Sequence, residues 1–164
     1  MIEKTFPITE KLLANGLKST QKLFELLSAE YEHLKQKIDP VVLTSLATNK
    51  KDTVFQLEQF SKQLGQVLAT EKLLINHDGV ISYFSKATTV GINVSKSSQC
   101  WQEITTLLKK CQLLNEQNGA SIDLLSRHTQ RSLQILRGRS QLTTTYGPDG
   151  TTRSELFSHT LISV

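Results

Sequence analysis

Long hydrophobic runs are missing from this sequence, and without about 20 consecutive apolar residues no segment reads as a membrane span. The first residues, Met1-Ile2-Glu3-Lys4-Thr5-Phe6-Pro7, also lack the apolar stretch of a secretory signal. Cysteine is scarce: Cys100 and Cys111 are the two in the chain. Eleven residues apart on one helix they would be separated by about 16 Å, well beyond the roughly 7 Å that a disulfide tolerates. They read as small buried hydrophobes in a reducing compartment, so the expected location is the cytoplasm. Aromatic residues are few, at 6%, and hydrophobic residues reach only 38%, which excludes a thick globular core and suits an elongated helical protein with much solvated surface. A length of 164 residues is that of one domain.

Chemistry-bearing clusters are equally sparse. The four histidines, His33, His77, His128 and His159, fall in separate segments without metal-ligand spacing. No Gly-rich phosphate loop ending in Lys-Ser/Thr is present, and no nucleophile-base pair stands out. The chain reads as a non-enzyme with no cofactor and no metal. Its formal charge of +4 comes from nineteen basic residues scattered among fifteen acidic ones. Nucleic-acid backbone binding needs a clustered basic stripe, so a solvated helical surface is the better account of that charge.

What is present is helical periodicity. The first helix is expected from an N-cap at Thr9, just after Pro7, to about residue 37, with Leu17, Phe24, Leu27, Tyr31, Leu34 and Ile38 on one stripe. Asn15-Gly16 is its weak point. Asp39-Pro40 marks a sharp boundary, since Asp caps well and Pro suits the first helical position. A second helix from Pro40 to about Ile75 then returns antiparallel, with Leu43, Leu46, Val54, Leu57, Phe60, Leu64, Val67, Leu68 and Leu74 as its apolar face. Asn76-His77-Asp78-Gly79 is a turn signal. One short helix is expected around residues 80–87, where Tyr83 and Phe84 cover the open end of the hairpin. Val90–Val94 alternates like a strand but has no partner, and Ser97 or Ser98 is expected to cap a third long helix.

That third helix carries the most information. Cys100, Ile104, Leu107, Cys111 and Leu114 recur at spacings of four and three, as on a coiled-coil face, and the stripe resumes at Ile122, Leu125, Thr129, Leu133 and Leu136. After Gly138 the pattern stops, giving an expected helical domain over 1–138 and a flexible tail over 139–164. Within the tail, Gly147-Pro148-Asp149-Gly150 is a turn, and Leu156, Phe157, Leu161, Ile162 and Val164 add a terminal apolar cluster. The fold class is all-α: three long helices in an elongated antiparallel bundle, with coiled-coil-like packing.

Trp101 and Ile104, the run Leu113-Leu114-Asn115-Glu116-Gln117-Asn118-Gly119, then Gln134-Ile135-Leu136, and Thr145-Tyr146-Gly147-Pro148-Asp149-Gly150-Thr151 resemble, in order and spacing, the C-terminal half of the FlgN-type flagellar export chaperones. The resemblance covers about residues 98–164 well; residues 9–75 match in helical pattern and length alone. It departs in charge, because this chain is basic. The resemblance implies a cytosolic chaperone that binds the assembly-prone terminal helices of hook–filament junction proteins and delivers them to the flagellar type III export gate. It also implies docking of the loaded chaperone on the cytosolic domain of the gate through the tail, with Tyr146 as the matching tyrosine and Gly147, Asp149 and Gly150 in the turn beside it.

The residues themselves leave two readings for each site. Ile122, Leu125, Thr129, Leu133 and Leu136 are either buried by the first two helices or form an exposed stripe that receives a client helix. Asn115 and Asn118 either bind a partner or fix helix register. Gly119 permits a close helix approach or a groove, and Trp101 is a core anchor or a recognition residue. A client-free dimerising coiled coil and a basic nucleic-acid binder are the competing functions. A chaperone is expected as a monomer or weak homodimer without membrane insertion.

Overall fold

A computed structural model of the chain describes residues 1–36 and 38–136, together with the short pairs Thr145–Tyr146 and Thr152–Arg153. The described residues form four helices, α1 (Ile2–Gln36), α2 (Pro40–Thr70), α3 (His77–Thr89) and α4 (Ser95–Leu136). Thr145–Tyr146 (β1) pairs antiparallel with Thr152–Arg153 (β2), Thr145 opposite Arg153 and Tyr146 opposite Thr152. Among the described residues the regular structure is therefore helical apart from one two-residue ladder, which lies where the sequence suggests a tail without regular structure. The remaining positions from residue 137 onward, including the terminal apolar cluster, lie outside the described residues. Two compact units are distinguished, Met1–Ser121 and Ile122–Val164. Their boundary falls inside α4.

Within the first unit, α1 begins at Ile2 instead of Thr9 and runs straight through Pro7. An interior proline leaves one carbonyl of the preceding turn without its amide partner. The burial of Ile2 and Phe6 in the main core offsets that cost, each apolar side chain contributing about 1.5–3 kcal/mol when fully buried. Thr9 is consequently a buried mid-helix residue, its hydroxyl donating to the Thr5 carbonyl at 3.0 Å, and not a cap.

The second helix starts as its sequence demands. Asp39 is the N-cap and accepts from the Val41 amide at 2.9 Å, with Pro40 at the first position. Its other end comes earlier than the periodicity suggests. The Leu73 amide donates to the Leu68 carbonyl and the Lys72 amide to that of Ala69, the paired bonds of a Schellman turn. The left-handed position of that turn is held by Lys72, at φ 57°. With the helix closed at Thr70, Leu74 and Ile75 stand exposed instead of extending its apolar face.

Asn76 accepts from the Gly79 amide at 2.8 Å and caps α3, which is longer at both ends than the expected 80–87 segment. Gly79 is required there, since a Cβ would collide with the Leu74 carbonyl. At the far end Gly91, at φ 82°, closes a second Schellman turn in which the Ile92 amide donates to the Ala87 carbonyl. Val90–Val94 forms no strand. Asn93 accepts from the Ser95 amide at 3.0 Å and starts α4, so neither Ser97 nor Ser98 is the cap; Ser97 is buried in the first turn.

The main core joins Ile2, Phe6 and Leu13 of α1 to Leu64, Val67 and Leu68 of α2, and to Val80, Tyr83, Phe84 and Ala87 of α3. Ile104 of α4 completes it. Tyr83 stacks on Phe6 with ring centroids 6.4 Å apart. Its hydroxyl sits 3.0 Å from the Thr5 hydroxyl, which in turn donates to the Glu71 carboxylate at 2.9 Å. A smaller core farther along α1 contains Leu23, Leu27 and Cys111, with Phe24, Leu57 and Leu114 packed against it. The pairing of Cys100 with Leu13 and of Cys111 with Leu23 and Leu27 makes this part of α4 run parallel to α1. Helix α2, between them in sequence, runs the other way.

Gly16 is not a kink but a seat. An added Cβ would lie 2.7 Å from the Phe60 ring of α2, so the missing side chain lets α1 and α2 approach closely. Gly16→Ala gains about 1 kcal/mol of helix propensity but overpacks the contact at about 1–3 kcal/mol. The expected outcome is a net loss of about 1 kcal/mol in urea denaturation. In a Phe60→Leu background the same substitution should stabilise; a loss of equal size there would disprove the seat.

Candidate functional site

At the far end of the smaller core a buried polar cluster joins three helices. Glu30 of α1 is 2% exposed and Asn118 of α4 is 1% exposed. Both carboxylate oxygens of Glu30 accept from Lys50 of α2 at 2.8 Å, and the Asn118 amide donates at 2.9 Å to Glu30 Oε2 and to the Leu27 carbonyl. The Asn118 carbonyl oxygen has no hydrogen-bond partner among the described residues. An unpaired buried carboxylate would be costly, and these donors together satisfy it. Because the side chain of Asn118 reaches one turn of α1 and no other, it fixes the longitudinal position of α4. Asn115, one turn earlier on α4, is exposed.

Beside this cluster α2 and α4 leave a groove. Helices α1 and α2 pack closely along their length, whereas the α4 backbone stands farther from both. The resulting cleft, of about 640 Å³, is floored by Leu23, Leu27 and Cys111 and walled by Val54 and Phe55 of α2 and Leu108 of α4. Its rim carries Lys51 and Glu58 from α2, and Gln112 and Asn115 from α4. Phe55, a large apolar residue lining the cleft, is 59% exposed. The sequence reading placed Val54 on the core face of its helix and missed Phe55 and the groove. The available signal was Phe55 itself, an aromatic next to a stripe too wide for one interface.

Both thiols fit a packing role. Burial pushes the Cys111 thiol above its ordinary pKa, and burial, followed by the nearby Glu103 carboxylate, does the same for Cys100, so neither is an activated nucleophile. Cys100 instead donates to the Leu13 carbonyl at 3.3 Å. Trp101 is half-buried against the main core, and its indole N–H donates to His77 Nδ1 at 3.3 Å. Gly119 has open space where its Cβ would be, so no helix approaches it closely among the described residues. No group of three His, Cys, Asp or Glu residues is placed to hold a metal ion there either.

In the second unit, α4 continues without a buried residue. From Ile122 to Leu136 every side chain is exposed except the half-buried Leu125. Ile122, Leu125, Thr129, Leu133 and Leu136 share one face over about 21 Å, with Leu133 44% and Leu136 82% exposed. Leu124 and Ile135, on the opposite side of the helix, are exposed as well; the sequence reading quoted Ile135 only within the family resemblance and did not single out Leu124. Tyr146 occupies β1 opposite Thr152, while Gly147, Asp149 and Gly150 lie outside the described residues. The sites named from sequence are thus dispersed: Trp101 at the main core, Asn118 in the polar cluster, Asn115 on the groove rim, and the five-residue stripe on the exposed part of α4.

Glu30→Ala should lower stability by about 3 kcal/mol, the lower end for breaking a buried pair, because the Lys50 side chain keeps 21% of its surface in water. Asn118→Ala should cost about 1–2 kcal/mol, and the double variant less than the sum. Additive losses in chemical denaturation would show that the two residues do not act together.

No curated protein and no solved structure matches this chain in comparisons of sequence and fold. The family described as FlgN protein does match, over residues 1–154, which takes in all four helices and both strands. With that match spanning nearly the whole chain, this protein belongs to the FlgN family, the flagellar export chaperones.

Proposed function

We propose that the chain binds the assembly-prone terminal helices of hook–filament junction proteins in the cytoplasm and delivers them to the flagellar type III export gate. The observation that carries this reading is the exposed stripe Ile122, Leu125, Thr129, Leu133 and Leu136. Apolar side chains at spacings of three and four on a solvated helix are what an amphipathic client helix packs against, each partner hiding the face the other would otherwise leave in water. A subunit awaiting assembly carries such faces by necessity, and covering them prevents premature association. Among the described residues no helix is long and apolar enough to cross a membrane, which is compatible with action ahead of the export gate.

The stripe makes the client reading testable without disturbing the fold. Leu133→Asp should weaken binding of a terminal client segment at least tenfold, about 1.4 kcal/mol, with the helical circular dichroism and melting temperature of the wild type. Unchanged affinity would remove the stripe from client binding. A second step, docking of the loaded chaperone on the cytosolic domain of the gate, is assigned to Tyr146 with Gly147, Asp149 and Gly150. A tyrosine supplies a rigid ring and a hydroxyl at small entropic cost. Tyr146→Ala should leave client affinity as it is and weaken gate binding measured calorimetrically with client present. Equal gate binding by variant and wild type would exclude the tyrosine.

A further inference from the structure

The groove between α2 and α4 lies within the first unit and includes none of the stripe residues. Its apolar walls are open to solvent: Phe55, Val54 and Leu108 line the gap and all three are exposed. Three helices surround it on two sides and its floor, as in a four-helix bundle with one corner vacant. Its rim is also chemically directional. Among the described residues the Glu30–Lys50 pair is the sole ion pair, so Lys51 and Glu58, seven residues apart on α2, stand without ionic partners. Two turns of helix separate them, about 10 Å. The opposite rim offers the neutral amides of Gln112 and Asn115.

We infer that this groove seats one amphipathic helix of the exported client as the fourth member of the bundle, a binding site additional to the stripe on α4. A helix satisfies its own backbone, so it enters an apolar cleft that has no sheet edge or polar wall to receive an extended chain. Phe55, Val54 and Leu108 take its apolar face. Of the residues flanking that face, an acidic one meets Lys51 and a basic one, two turns away, meets Glu58; a guest of single sign is disfavoured at one end of the rim. The identity of the guest as a client rests on the chaperone reading above, whereas the site and the chemistry of its occupant rest on the groove.

The test uses fluorescent peptides of the N-terminal and C-terminal helical segments of a hook–filament junction protein, titrated against the full chain. Phe55→Asp and Leu108→Asp should each weaken one of the two segments at least tenfold, and Leu133→Asp should leave that segment's affinity unchanged. Val41→Asp, exposed in the first turn of α2 and away from the groove, serves as the control and should bind as wild type.

Wild-type affinity of both groove variants for both segments would overturn the inference. So would loss of self-association in Phe55→Asp on sedimentation, which would assign the groove to a second copy of this chain. Unaltered binding of both segments by Leu133→Asp, together with loss of one of them in Phe55→Asp, would instead reject the stripe and leave the groove standing. Binding of neither segment to the wild type would reject the client as guest.

Discussion

A single buried carboxylate governs how the first unit is assembled. Glu30 has to be neutralised by hydrogen bonds from outside its own helix, and its donors come from α2 and α4. Three helices whose apolar faces are otherwise permissive are thereby held at one relative position. Apolar contacts tolerate sliding by a fraction of a turn, but a charge that loses its donors in a low-dielectric site does not. The groove follows from the same constraint: Asn118 ties α4 to α1, and Lys50 ties α2 to α1. No hydrogen bond among the described residues joins α2 to α4, so the gap between them is left open.

At the other end of the unit the constraint is of a different kind. The Tyr83 hydroxyl, Thr5 and the Glu71 carboxylate form a short chain of hydrogen bonds around the aromatic plug that α3 inserts between α1 and α2. Ile2 and Phe6 are drawn into that plug, which is why α1 persists through a proline. Family membership concerns the chain as a whole; these two polar anchor points show how a chain with few aromatics obtains a defined structure.

Much of the fold was legible in the sequence, and the failures have local causes. Asp39-Pro40 was read correctly because both the cap and the fixed φ of proline act within two residues. The long fourth helix was visible through its stripe, Gly119 notwithstanding. The start of α1 was misplaced because Pro7 is a breaker by propensity, and the burial that overrides it depends on Tyr83, more than seventy residues away. The end of α2 was missed because the left-handed position in its Schellman turn is occupied by Lys72, which gives no signal, where Gly91 does give one in the next turn. Periodicity located the exposed stripe on α4 but not whether anything covers it, since burial depends on partners that the pattern does not name. The groove left no pattern at all, because it arises from the distance between two helices.

The buried threonines show what the middle of the bundle is free to do. Thr9, Thr20 and Thr53 are fully buried, yet each hydroxyl bonds a carbonyl four residues earlier in its own helix. Satisfied this way, Thr20 and Thr53 demand nothing from a neighbouring helix, unlike Glu30, and Thr9 adds a single bond to the Tyr83 hydroxyl of α3. Moving α2 away from α4 would strand no buried donor or acceptor at these positions, and away from Glu30 the resistance to such widening comes from apolar side chains changing neighbours. Girth is therefore adjustable in a way that longitudinal alignment is not, which equips one framework to accommodate side chains of unequal bulk without refolding.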